Sequence, residues 1–164
     1  MDPQALWLNF RDAIANHYFD MNGRVSRAQF WYFVLVYVVF AIVFSILQMI
    51  VWLPLAAIYN LAMLLPAAGM GARRLQDTGR DGRLVWLAII LFAVTQVVGL
   101  LAALSFAAAG PFGAILFAPG LSLVALANFV VGLVLIWFWI QLGDPGPNAY
   151  GPPPPVFNPS ARPA

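Results

Sequence analysis

Four long apolar runs dominate the chain, about Phe30–Leu53, Leu55–Ala72, Leu84–Ala109 and Gly120–Leu142, and no charged residue falls inside any of them. A run of roughly 18 or more apolar residues is long enough to cross a bilayer as a helix. The pattern predicts an all-α polytopic membrane protein: a four-transmembrane-helix bundle within residues 23–142, preceded by an amphipathic interfacial segment, 1–22, and followed by a Pro-rich tail, 143–164. In Pro3–Phe19 the residues Leu6, Trp7, Phe10, Ala13, Ile14, His17 and Tyr18 recur at helical spacing, with Asp2, Gln4, Arg11, Asp12 and Asn16 between them. Such a helix is expected to lie among the headgroups with its apolar face toward the acyl chains. The other reading is a short helix packed on the end of the bundle.

Local signals set the helix ends. Met21-Asn22-Gly23-Arg24 reads as a turn. Ser26-Arg27-Ala28-Gln29 fits a capping box, in which Ser and Gln satisfy each other's backbone N–H groups, so the first span should begin at Arg27. Trp31, Tyr32 and Trp52 suit the aromatic belts of a membrane interface. Pro54 opens the second span, Gly79 is a left-handed terminator after it, and Asp81 is placed to cap the third, with Trp86 at belt depth. Gly110-Pro111-Phe112-Gly113 is expected to break the chain before Pro119 and Gly120 lead into the last span, which ends on Trp137 and Trp139. The tail, with four Pro after Gly151, should be extended and without a core.

Composition agrees with the pattern. Of 164 residues, 63% are hydrophobic and 9% charged, against roughly 25% charged in a soluble domain. The charges are eight Arg and six Asp, with no Lys, Glu or Cys. Thiol catalysis, disulfides and thiolate metal sites are thereby excluded, and so few cations argue against nucleic acid. The first run begins too late and runs too long for a cleaved signal peptide, so it is expected to be retained. Arg11, Arg24 and Arg27 precede the first span, Arg73, Arg74, Arg80 and Arg83 join the second to the third, and Arg162 lies in the tail. All fall on one side of an even number of spans, which places both termini in the cytoplasm.

Three segments carry a resemblance. Asn22-Gly23-Arg24-Val25-Ser26-Arg27-Ala28-Gln29-Phe30-Trp31-Tyr32-Phe33 resembles the opening motif of the YhaH-like bacterial inner-membrane family, a domain of unknown function numbered 805. Pro66–Ala72 followed by Arg73-Arg74-Leu75-Gln76-Asp77-Thr78-Gly79-Arg80 resembles its central loop, and Gly143–Pro152 its terminal motif. The family pattern commonly has His at the position of Gln76, so no acid–base group is carried over there. The resemblance implies a bacterial inner-membrane location and this architecture, and no particular activity.

The densest polar cluster is Arg24, Arg27, Arg73, Arg74, Asp77, Arg80 and Arg83 with Asp81. Planar guanidinium groups there could hold an anionic lipid headgroup or a partner protein. They could equally set orientation and pair with Asp77 or Asp81. No catalytic constellation, cofactor site or metal-ligand set is visible. His17, the lone His, reads as an interfacial packing residue. The polar residues inside the spans, Gln48, Asn60, Thr95, Gln96, Asn128 and Gln141, are not ionisable. That weighs against proton coupling and suits interhelix hydrogen bonds. Gly99, Ala103 and Ala107 repeat every four residues, a pattern of close helix contact within the chain or between copies in a homo-oligomer. The leading expectation is a non-enzymatic structural or regulatory partner acting through its Arg-rich cytoplasmic face. The alternative is a small oligomeric transporter or channel component, with Pro66 and a re-entrant 111–120 segment as broken helices.

Overall fold

The computed structural model describes residues 3–51 and 53–155. Asp2, Trp52 and Arg162 lie outside the described residues. The described chain is all-helical: α1 Pro3–Ala15, α2 Arg27–Val51, α3 Leu55–Asp77, a single 3-10 turn Gly82–Leu84, α4 Val85–Ala109 and α5 Pro111–Ile140. Four of these helices are long and apolar enough to cross a membrane.

The chain divides into two compact units, residues 1–82 with Trp139 onward, and residues 83–138. In the first, the capping box forms as its sequence predicts. The Ser26 amide donates to Gln29 Oε1 at 3.2 Å and the Gln29 amide to Ser26 Oγ at 3.3 Å, and α2 starts at Arg27. The core gathers Phe10 and Ala13 of α1, Val25 just before α2, Phe30 and Phe33 from the start of α2, and Met63 and Met70 of α3. Phe10 stacks on Phe33 with ring centres 5.4 Å apart. On the apolar face of α1, Phe10 is 4% and Ala13 2% exposed. Part of this face thus packs on the rings of α2, while Trp7 and Tyr18 of the same face stay exposed. Leu8 remains exposed as well.

Interhelix amide bonds occur where the spans are most apolar. Tyr37 Oη donates to Asn60 Oδ1 at 2.6 Å, and Gln48 Oε1 accepts the Ala56 amide at 3.3 Å. The second bond supplies one of the free N–H groups at the start of α3, where Pro54 provides no side-chain cap.

α3 runs five residues beyond the expected end at Ala72, and Arg73, Arg74 and Asp77 fall inside it. It closes on a Schellman motif. The Gly79 amide bonds Gln76 O at 3.1 Å, the Arg80 amide bonds Leu75 O at 3.0 Å, and Gly79 has φ +72°. The N-cap position of α4 is Leu84, without a side-chain cap; Asp81 precedes the 3-10 turn instead.

In the second unit, α5 starts at Pro111, well before the expected Gly120, and continues through Pro119. The break between α4 and α5 is Gly110 alone, at φ +61°. Proline is favoured at a first helical position because its missing N–H needs no partner there. The segment 111–120 is thus helical and continuous with the last span. Asn128 Nδ2 on α5 donates to Thr95 Oγ1 on α4 at 2.9 Å. The contact line on α4 contains buried Ala102, half-buried Leu91, Thr95 and Ser105, and Gly99 at its edge. Ala103 and Ala107 are exposed, and a Cβ on Gly99 would meet nothing within 4 Å. Within the chain, the Gly99–Ala103–Ala107 stripe is not the packing face.

Candidate functional site

Two helix C-termini, those of α3 and α5, meet in the first unit. Each leaves backbone carbonyls without helical partners and carries roughly half a negative charge. Asp77, the last residue of α3, adds a full one. Three arginines answer this. Arg74 Nε donates to Trp139 O at 3.1 Å, its Nη2 to Gln141 O, and its Nη1 to Asp77 Oδ2. Arg27 Nη1 reaches Ile140 O at 3.4 Å. Arg24 Nε bonds Asp77 Oδ1 at 3.0 Å. The side chains of Arg24, Arg74 and Asp77 are 1%, 0% and 4% exposed. With roughly −0.5 from each helix end and −1 from Asp77, two buried guanidinium groups bring the node close to neutrality. That balance is what makes so much buried charge tolerable.

The tail closes the node. Arg24 Nη1 donates to Gly146 O at 2.7 Å and Gly151 O at 3.2 Å, and its Nη2 donates to Asp144 O. The Asp144 amide bonds Asp77 O at 2.8 Å. Asn148 Nδ2 bridges Gln76 O at 2.9 Å and Asp144 Oδ2 at 2.8 Å, while Asn148 and Gly151 pair their backbones in both directions at 3.1 Å. Gly143 lies directly against the Asp77 carboxylate, so close that a Cβ could not be placed. The segment Gly143–Gly151 is therefore folded onto the end of α3, where the sequence suggested a coreless tail. The three motifs, far apart along the chain, make one structure.

Residues 18–152 match the family described as Protein of unknown function (DUF805). The chain belongs to that family. Inner membrane protein YhaH of Escherichia coli strain K12 and its counterpart in strain O157:H7 are each 26% identical over 148 residues, covering 86% of this chain and 92% of theirs. No solved structure matches the chain.

The DUF805 motifs thus coincide with the buried node, and the predicted arginines divide among several roles. Arg24, Arg74 and Asp77 are joined and inaccessible, so they present no surface to a headgroup. Arg27 is exposed and caps α5. Arg73 is buried away from these partners, with its Nη2 3.2 Å from Met70 Sδ. Arg80 is half-buried, its Nη1 3.4 Å from Thr78 O. Arg83 is exposed in the second unit. His17 Nδ1 pairs with Asp20 Oδ2 at 2.9 Å. The Asp20 carboxyl is held below its usual range, first by the Asn22 amide and then by His17 and Arg73, against an opposing effect of burial. Sequence reasoning missed the carbonyls of Trp139, Gln141, Gly146 and Gly151 as ligands of the arginines. Two helix ends and two arginine-bearing motifs in one chain were the available signal. Among the described residues, no group of His, Asp or Glu could hold a metal ion.

Proposed function

We propose that this chain is a non-enzymatic inner-membrane protein, a structural or regulatory partner whose working surface is the folded Gly143–Gly151 segment and the loop beneath it. The observation that carries this reading is Arg24, a single buried guanidinium that ties the opening motif to Asp77 and to three tail carbonyls. Its donors and the Asp77 carboxylate are occupied by one another, which suits a clasp better than acid–base chemistry. The name of the E. coli relatives supports the inner-membrane location. The one-sided arginine distribution supports cytoplasmic termini. A transport reading drew on broken helices at Pro66 and 111–120, and both prolines of those segments that interrupt the sequence pattern, Pro66 and Pro119, lie inside continuous helices.

The chain has no native Cys, so single substitutions report cleanly. Phe112→Cys should react with an impermeant thiol reagent in intact spheroplasts, and Ala149→Cys should not; the reverse pattern overturns the topology. Purification in mild detergent should recover a stoichiometric partner with the native chain and lose it with Arg24→Gln. Solute flux through liposomes holding the purified chain alone would favour transport instead.

A further inference from the structure

Arg73 sits next to Arg74 in α3 but shares none of its partners. The residue is 7% exposed. Among the described residues its Nε has no hydrogen-bond acceptor, and its Nη2 has only the Met70 thioether, a weak one. Asp20 and Asp12 act on it through space without forming an ion pair. A buried charge so poorly matched is costly unless something else completes it.

Arg73 lines a cavity of about 30 Å³ with Asn9, Asp12, Val25, Gln29 and Met70. That volume admits about two water-sized groups, such as two oxygens of a phosphate. Asp12 stands at the rim, its side chain 56% exposed, with Oδ1 2.7 Å from Asn16 Nδ2 and Oδ2 3.7 Å from His17 Nε2. The cavity therefore has a guanidinium in its wall and a carboxylate at its mouth. A simple anion would be drawn by the first and repelled by the second. A ligand bearing both signs gains from both. Arg73 lies four residues before the end of α3, roughly 6 Å along the axis, which is headgroup depth for a spanning helix. Leu8 of the adjoining α1, one helical turn before Asp12, is 37% exposed and offers apolar surface near the rim.

We propose that this cavity receives the phosphoethanolamine headgroup of a membrane lipid, with the phosphate on Arg73 and the ammonium on Asp12. This differs from the anionic-lipid expectation, which treated the arginines as one free basic patch. It does not depend on the clasp or on any partner protein.

The test is native mass spectrometry of the full chain in detergent with equal amounts of dioleoyl phosphatidylethanolamine and dioleoyl phosphatidylglycerol. The native chain should retain the ethanolamine lipid several-fold over the glycerol lipid. Arg73→Gln should lower that retention about tenfold. Asp12→Asn, at the exposed rim where folding is least at risk, should reverse the preference, since it removes the ammonium's partner and one of the two carboxylates that repel an anion at Arg73. Equal retention of the two lipids by the native chain, or an unchanged ratio in Asp12→Asn, overturns the proposal. So does displacement of the lipid by millimolar soluble phosphoethanolamine, which would assign the cavity to a free metabolite.

Discussion

The two units solve the problem of a lipid environment in opposite ways. Residues 83–138 contain a single charged side chain, Arg83. Their helices are joined by one glycine, and their buried apolar side chains are Val85, Ala102 and Leu135. Asn128 bonds Thr95 and Leu91 O between the helices. Most of their apolar surface is exposed, as for helices solvated by acyl chains. The other unit buries three arginines and an aspartate, stacks aromatic rings and folds a tail over a helix end. The contrast shows where specificity resides. In lipid, apolar contact alone discriminates little between a neighbouring helix and an acyl tail. Charge that must be matched allows few arrangements, and all three family motifs lie where charge is matched.

That contrast predicts a graded set of responses. The largest is at Asp77. Asp77→Asn leaves Arg24 and Arg74 buried beside two helix C-termini with only dipoles to balance them, and breaking a buried pair costs about 3–5 kcal/mol. Unfolding in one detergent should show a loss of that order, and a native-like midpoint would mean the node is hydrated and weak.

Next comes packing in the second unit. Ala102→Leu should destabilise by about 1–3 kcal/mol through overpacking, whereas Ala103→Leu, on an exposed position, should stay within about 0.5 kcal/mol. Equal effects would place Ala103 in a contact between copies. Asn128→Val removes the interhelix bonds to Thr95 Oγ1 and Leu91 O and should cost about 0.6 kcal/mol for each, near the average for such bonds. A loss as large as that at Asp77 would erase the distinction between the units.

The smallest effect is at Asp20, which is partly exposed. Its folded carboxyl is more acidic than the free one. Its contribution is therefore complete above the unfolded value of about 4 and is lost as pH falls through the lower folded value. Asp20→Asn should flatten that part of an acid-unfolding profile.

Much of this fold was legible in the chain. Span number follows from run length, the α2 start from Ser26 and Gln29, and the α3 stop from Gly79, because each signal acts within a few residues. The node was not legible in the same way. Arg24 and Asp77 are 53 positions apart and Arg24 and Asp144 are 120 apart. An arginine destined for a buried pair has the same local hydropathy as one at the headgroups, so Arg73 and Arg74 read as last-turn cations facing the phosphates rather than as buried groups. Pro119 misled because proline was taken as a boundary, although Pro111 already supplies the start. The small-residue stripe is not the contact line within the chain for a geometric reason. Steps of four residues advance about 40° around a helix each time, so a face that begins at Gly99 has left the contact line by Ala107.

The central claim is that the tail is held by the buried arginine node. Amide hydrogen exchange of the native chain and of Arg24→Gln, both in lipid nanodiscs, tests it most directly. The amides of Asp144, Asn148 and Gly151, which bond Asp77 O, Gly151 O and Asn148 O, should be protected in the native chain. In Arg24→Gln they should exchange near free-peptide rates while the middle of α3 stays protected. Free-peptide exchange of those three amides in the native chain would contradict the account.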